Sequence, residues 1–326
     1  MEISVEKAAR ILMRPGKIML AAHSDPDGDA LGAMLGLYHL LKPFGGQICM
    51  YRDGALPVDY TFLPGAGKVS EELPEADWPE IVVLLDCHAP YRAGNRLGDW
   101  LAGNVQVVVL DHHLGEADTG FMVCKNPAYS ATSELIALMA RDVKWDICQN
   151  AAQCLFAGMV ADTGHFTQGN TTAQVLELAG WLVSRGAQPD EIALRSSSRS
   201  LNRIQLHAHA LSKIQPLFSG RMLVTQVSMQ DLQDFNCGLA DLEGLVEILF
   251  HIQDEEIGLV LKQVAENMIK ASIRSKKHID VSALAMEFGG GGHKNAAGFK
   301  MAGSLDEVQA RFVEKAARLL EQTRGA

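Results

Sequence analysis

Three apolar runs end in the same way, and they restrict the fold more than any other feature of the chain. Residues 17–23 read KIMLAAH, 80–86 read EIVVLLD and 105–111 read VQVVVLD. Apolar runs without polar alternation predict central strands of a parallel sheet covered on both faces. GQICMYR (46–52) is a further strand. Helical patterns fill the intervals at 30–43, where Pro43 stops the run, and at 131–141, about 147–161 and 171–185. This alternation predicts a doubly wound, largely parallel α/β domain over residues 1–185.

In such a sheet the carboxyl ends of the strands share one edge, where the fold holds its ligands. The runs therefore bring three polar groups to a common rim: His23 with Asp27 and Asp29, then Asp86, then Asp111-His112-His113. A fourth apolar segment, FAGMVADTGHF (156–166), is expected to repeat the design and deliver Asp162, with Gly164 turning the backbone. A lone aspartate at a strand end is commonly a turn or helix-cap residue. Four apolar segments that each supply carboxylate or imidazole are not explained by capping. Such donors without cysteine suit Mn²⁺, Mg²⁺, Co²⁺ or Fe²⁺ better than structural zinc. The crowding of His23, Asp25, Asp27 and Asp29 within seven positions also calls for a counter-charge. A metal pair is the most economical one.

Composition adds limits. The chain has 326 residues, 48% hydrophobic and 21% charged, which suits a soluble protein of roughly two domains. Its net charge of −10 should not attract nucleic acid to the surface as a whole, so a phosphorylated ligand needs local positive charge or metal. The first 17 residues read as a short amphipathic helix rather than a signal peptide, and no stretch approaches the ~20 apolar residues of a membrane span. Six scattered cysteines lack metal-type spacing and read as reduced thiols. These features predict a cytoplasmic protein.

Past residue 185 the texture changes. Residues 186–215, polar and rich in Ser and Arg, read as a helical linker. Residues 216–326 read as a smaller α/β domain: a strand at RMLVTQVS, a helix at ADLEGLVEILFHI, a hairpin at IGLVLKQVAENMIKASIRS, a short helix at VSALAMEF and a closing amphipathic helix. The run GGGG (289–292), followed by His293 and NAAG, permits close backbone approach, and successive free N–H groups there would form an anion nest. Arg274 and Ser275, at a strand end, add a charged fork and a hydroxyl. Together these make a clamp for a terminal phosphate or nucleotide.

HSDPDGDA, LLDC, DHH and ADTG stand in the order of the four motifs of the DHH phosphoesterases. ASIRSK and FGGGGHKNAAGF resemble the DHH-associated domain that follows them. The resemblance covers nearly the whole chain and, by length and layout, is greatest to the stand-alone nanoRNase/pAp-phosphatase branch. It implies that His23 and Asp27 hold one Mn²⁺, that Asp29, His112 and Asp162 hold a second, and that Asp86 bridges them. The four carboxylates, at −4, would then cancel two divalent cations. Asp111 is expected to hydrogen-bond an imidazole, and His113 to face the phosphate as donor or proton relay. Asp86, Asp111 and His113 thus form the catalytic group. Asp25, which the family pattern does not fix, reads as a turn residue or one standing behind the ligands. Arg274, Ser275, Gly290, Gly291, Gly292, His293 and Asn295 are expected to hold the far end of the substrate, and Thr163 to be structural.

The reaction implied is metal-assisted, in-line hydrolysis of a phosphoester without a covalent protein nucleophile. The implied substrates are short RNA oligonucleotides, pApA-type dinucleotides and pAp, and the resemblance suggests a homodimer. A RecJ-type single-strand DNA exonuclease stands second, although the chain is short for one. An inorganic pyrophosphatase fits the glycine-rich motif poorly, and a non-catalytic nucleotide sensor fits the intact metal set poorly.

Overall fold

The three apolar runs become adjacent strands of one sheet. In the computed structural model they are β1 (Lys17–Ala22), β4 (Ile81–Leu85) and β5 (Gln106–Asp111), joined by β2 (Gln47–Tyr51), β3 (Val69–Ser70) and β6 (Met122–Lys125). The order is β3-β2-β1-β4-β5-β6, and every pairing is parallel. The structure describes residues 1–14, 16–74, 79–101, 105–113, 115, 120–276 and 279–322. These divide into two units, Met1–Ser198 and Arg199–Ala326. The first unit carries α1 (Val5–Leu12), α2 (Gly28–Leu41), α3 (Asn95–Trp100), α4 (Thr132–Asp142), α5 (Gln149–Asp162), α6 (Ala173–Ser184) and α7 (Pro189–Ser197).

Burial on both faces explains the unbroken apolar runs. Ile18, Leu20, Val83, Leu85, Val108 and Leu110 join the core shared with α2, α4 and α5, while Met19, Ala21, Val82, Leu84, Val107 and Val109 pack on the opposite side with α3. The chain leaves β1 toward β2 on one side and returns to β4 on the other, so the direction of winding reverses between β1 and β4. Ligands bind at such a reversal.

One packing feature was not read from the sequence. A Cβ on Gly32 would stand 2.7 Å from the Cys154 carbonyl oxygen, and one on Gly28 would stand 2.6 Å from Ala161 Cβ. Only glycine lets α2 and α5 approach this closely. The contact brings the start of α2, with Asp27 and Asp29, beside the end of α5, with Asp162.

The second unit holds α8 (Leu201–Ser212), β7 (Gln215–Leu217), β8 (Met222–Val227), α9 (Met229–Asp234), α10 (Leu245–Phe250), β9 (Ile257–Ala265), β10 (Met268–Ser275), α11 (Val281–Met286), β11 (Gly291–His293), β12 (Ala296–Ala302) and α12 (Leu305–Gln322). Its sheet order is β11-β12-β10-β9-β8-β7, antiparallel except for β8 with β9. Ile269, Ala271 and Ile273 of β10 face a core containing Val308, Phe312 and Ala316 of α12. The stretch 186–215, read as a linker, is helical on both sides of Ser198: α7 buries Ile192 in the first unit and α8 buries Leu206 and Ala210 in the second.

The glycine run is not a nest of free N–H groups. Gly289 N donates to the Met286 carbonyl and Gly290 N to the Ala285 carbonyl, both at 3.0 Å, and Gly289 has φ +72°. This is a Schellman closure of α11. Gly291 and Gly292 then pair with Gly298 and Ala297 as an edge strand. Among the described residues no helix is long and apolar enough to cross a membrane.

Candidate metal centre

Asp86 ends β4 in a left-handed conformation, φ +57°, that a non-glycine residue adopts only when its surroundings hold it there. Its carboxylate is almost fully buried, at 1% exposure, and the other groups gather around it. His23 Nε2 lies 3.5 Å from Asp86 Oδ2 and 3.9 Å from Asp27 Oδ1. His112 Nε2 lies 3.4 Å from Asp86 Oδ1 and 3.1 Å from Asp162 Oδ2. Two sets close enough to share an ion result: His23, Asp27 and Asp86, and Asp29, His112 and Asp162.

Most of these candidate ligands are aimed by a second contact. His23 Nδ1 donates to the Ser24 carbonyl at 3.0 Å and His112 Nδ1 to the Tyr129 carbonyl at 3.2 Å. A carbonyl only accepts, so these bonds fix the tautomer that turns each Nε2 toward the carboxylates. Asp27 caps α2, its Oδ1 accepting from Asp29 N and Ala30 N at 3.0 Å. The cap reading is met, and Asp27 still stands within the group that could hold an ion. Asp29, wholly buried, accepts from Thr132 N at 2.6 Å and Ser133 N at 2.9 Å, the first amides of α4. The positive end of that helix offsets its charge. Thr132 Oγ1 also donates to Asp86 Oδ1 at 2.8 Å.

Asp162 stands at the end of the helix expected at about 147–161. It is the last residue of α5, not the end of a strand, because the segment before it continues a helical pattern begun at Gln149. After it, Gly164, His165 and Phe166 are all left-handed, with φ between +53° and +60°. Thr163 is buried and structural: its hydroxyl donates to the Met159 carbonyl and accepts from Phe166 N.

Asp111, fully buried, accepts from His113 Nδ1 at 2.9 Å and from the backbone N–H of His112 and His113 through Oδ1, and from His88 Nδ1 at 3.0 Å through Oδ2. The expected imidazole bond is present, and a second imidazole was missed. Its signal was the histidine two places after Asp86 in DCH. Asp86, His112 and His113 also lie close together, but His113 Nδ1 is the atom bonded to Asp111. Asp25 is a turn residue. It has φ +50°, its N donates to the Asp53 carbonyl and its Oδ1 accepts from Ala55 N at 3.3 Å.

The electrostatics point to a cation. Burial alone would lower both imidazoles, but Asp27 and Asp86 push His23 up to about 10, and Asp162 and Asp86 push His112 up to about 11. Against its own burial, Asp86 is held far below the usual carboxylate range by His112 and His23. Burial, then neighbouring carboxylate charge, pushes Asp29 and Asp162 up, with Asp162 acting on Asp29 and with Asp27 and Asp86 acting on Asp162. His112 Nε2 is itself buried, and although two carboxylate oxygens stand within 3.4 Å it hydrogen-bonds to neither. Imidazole and carboxylate groups aimed at a common point rather than at one another fit a divalent ion.

In the second unit several residues expected in the clamp are bonded within the fold. Arg274 Nη2 donates to Glu247 Oε1 at 2.6 Å. Ser275 is buried and its hydroxyl donates to the Ile279 carbonyl at 2.8 Å. Asn295 Nδ2 donates to Ser275 Oγ and to the Lys276 and Ile279 carbonyls. Ser275 and Asn295 therefore tie down the turn after β10 instead of facing a ligand, and the Gly290 N–H is taken up by α11. Arg274, Gly291, Gly292 and His293 lack such internal duties for their whole polar surface.

Fold and site together define a class: α/β proteins with a carboxylate–imidazole metal centre at the carboxyl edge of a parallel sheet. Known proteins narrow it further. The N-terminal domain of the DHH family matches residues 17–159, and the DHHA1 domain matches residues 219–322. The chain belongs to the DHH family, whose phosphoesterases are metal-dependent. It is 29% identical over 300 residues to the bifunctional oligoribonuclease and PAP phosphatase NrnA of Thermus thermophilus, covering 92% of this chain and 89% of that protein. The Bacillus subtilis protein of the same name is 25% identical over 284 residues, covering 86% and 88%. The crystal structure of an exopolyphosphatase-related protein from Bacteroides fragilis superposes with a TM-score of 0.88 at 28% identity, covering 97% of each chain.

Proposed function

We propose that this protein is a phosphoesterase that hydrolyses short oligoribonucleotides, including pApA-type dinucleotides, to mononucleotides and dephosphorylates pAp to AMP. The observation that carries the reading is the pair of ligand sets around buried Asp86, with His112 Nε2 left without a hydrogen bond. The donors suit two Mn²⁺ ions, with His23 and Asp27 on one, Asp29, His112 and Asp162 on the other, and Asp86 between them. Bound there, such a pair supplies Lewis acidity toward a phosphate and a water acidic enough to attack it. The chain provides the rest. Asp86 fixes the spacing, and the α4 amides hold the Asp29 carboxyl in place. Asp111 anchors His113 through Nδ1, which leaves Nε2 to donate to the phosphate or pass a proton to the leaving oxygen. Arg274 and His293, with Gly292, bind a substrate phosphate, and Gly291 lies beneath the adjoining sugar and base.

The test offers purified protein with Mn²⁺ a panel of pAp, pApA, RNA of about two to ten nucleotides, pyrophosphate and long single-stranded DNA. Turnover of pAp and the shortest RNAs is the expected result. Preference for pyrophosphate, or processive degradation of the long DNA, would overturn the assignment.

A further inference from the structure

Strand register sets three rows of residues across one face of the C-terminal sheet. In the first, Gly258, Arg274, Ala296 and His293 stand opposite one another on β9, β10, β12 and β11. The second holds Val260, Ser272, Gly298 and Gly291, and the third holds Lys262, Lys270 and Lys300. Directly paired residues share a face. The alternate residues of β10 are buried on the other side against α12. Rows lie two residues apart, so the lysine row runs about 14 Å from the Arg274 row and extends about 10 Å across three strands.

The lysine row is hard to explain as packing. Like charges directly opposite in a sheet repel. Lys270 and Lys300 are exposed, but Lys262 retains only 9% exposure. Burial, then the neighbouring Lys270 charge, lowers the Lys262 ammonium from its ordinary range, with Glu247 and Glu243 opposing. Glu247 is already bonded to Arg274. Among the described residues none of the three lysines has an ion pair or a side-chain hydrogen bond. On β10, β12 and β11 the middle row is a floor of small residues, whereas Val260 on β9 is buried against α8 and α10. Gly298 is required, since its Cβ would stand 2.7 Å from the Ala271 carbonyl oxygen. Gly291 is not: its φ is not left-handed and a Cβ there would meet nothing within 4 Å. Its missing side chain keeps the floor open without serving the fold.

We propose that this face is a track for a single-stranded oligonucleotide, with one phosphate at Arg274 and His293, a sugar and base over Ser272, Gly298 and Gly291, and a further phosphate on the lysine row. The proposal rests on the reading of the protein as an oligoribonuclease and extends it to chain length. A bisphosphorylated mononucleotide is shorter than the separation of about 14 Å between the outer rows, whereas a longer oligonucleotide can engage both.

Fluorescence anisotropy of a labelled pentaribonucleotide, titrated with the full chain without added metal, tests the track. Lys270→Ala with Lys300→Ala should weaken binding about tenfold and flatten the dependence of log K on log salt by about 1.4, two contacts at about 0.7 each. The loss should be smaller for a dinucleotide, and the Lys→Arg pair should restore the slope. Gly291→Val should weaken the pentanucleotide but not inorganic polyphosphate, which has no base to lay on the floor. Unchanged affinity and slope in the lysine double variant would overturn the track, as would equal losses for dinucleotide and pentanucleotide. Equal losses for RNA and polyphosphate in Gly291→Val would reduce it to a plain anion patch. A wild-type protein that binds the pentanucleotide with the expected slope but hydrolyses no RNA would refute the enzymatic reading and leave the track standing.

Discussion

The metal centre and the basic face handle charge in opposite ways. At the candidate metal centre, three buried carboxylates are held by hydrogen bonds: Asp29 by the α4 amides, Asp86 by Thr132 and Asp111 by two imidazoles. The basic face leaves like charges side by side on neighbouring strands, with no ion pair or side-chain hydrogen bond to its lysines among the described residues. Of the buried carboxyls described in the second unit, Asp231 is bonded to Lys213, His209 and Ser228, whereas Glu255 is poorly partnered. Both oxygens of Glu255 lack a hydrogen bond, and Lys276 Nζ stands 3.9 Å away. A centre that must position ions tolerates no slack, whereas a surface that reads a flexible polyanion needs only sign and spacing.

Glycines offer the sharpest way to break this comparison. Gly32→Val drives a side chain into the Cys154 backbone, which cannot yield as a side-chain tip can. It should cost the first unit about 3 kcal/mol in a denaturant titration and abolish high-affinity Mn²⁺ binding. Gly291→Val should leave stability unchanged. Equal stability of the two variants would contradict the close-packed account of the centre.

His88→Ala removes one of the two imidazoles on Asp111, and kcat should fall about 10- to 100-fold with KM little changed. His88→Asn, which keeps a donor near the Nδ1 position, should recover most of the loss. An unchanged kcat in His88→Ala would show that Asp111 needs only His113.

Burial holds the Glu255 carboxyl at about 7, against 4.5 for an ordinary glutamate. The folded state therefore binds the proton more tightly than the unfolded state. Stability should fall as pH rises from about 4.5 to about 7, and stay lower above that. Glu255→Gln should raise the melting temperature at pH 8 by roughly 3 °C and leave it nearly unchanged at pH 4. A variant no more stable than wild type at pH 8 would mean that Glu255 finds a partner on ionising.

The smallest effect is expected at Asp25. Asn keeps the acceptor for Ala55 N and tolerates the left-handed backbone, so Asp25→Asn should change activity less than about twofold. Asp27→Asn should weaken Mn²⁺ binding by more than the ~100-fold that a residue behind a ligand costs. Equal losses in metal titrations would break the division between the two aspartates.

The centre was legible because a parallel sheet converts sequence directly into place: an apolar run ending in Asp or His puts that residue on the carboxyl edge. Asp162 arrives instead at the end of a helix, legible as a pattern from about residue 147, but the close approach governed by Gly158 and Gly32 was not. His88 and Thr132 escaped because their partners lie far along the chain. In the second unit, local composition suggested a phosphate nest, although a glycine just beyond a short helix is also the signature of a helix cap. The lysine row could not be read in advance. Lys262, Lys270 and Lys300 become neighbours only through register, which neither composition nor spacing reveals.

The most direct test of the central claim is Asp86→Asn, assayed with pAp and a dinucleotide in Mn²⁺ alongside metal-binding stoichiometry. Wild type should bind two ions per chain and lose activity on chelation. The variant should retain its fold, bind fewer ions and lose at least about a thousandfold in kcat/KM, or about 4 kcal/mol of transition-state stabilisation. Full activity in Asp86→Asn, or in chelated wild type, would contradict a centre organised on that residue.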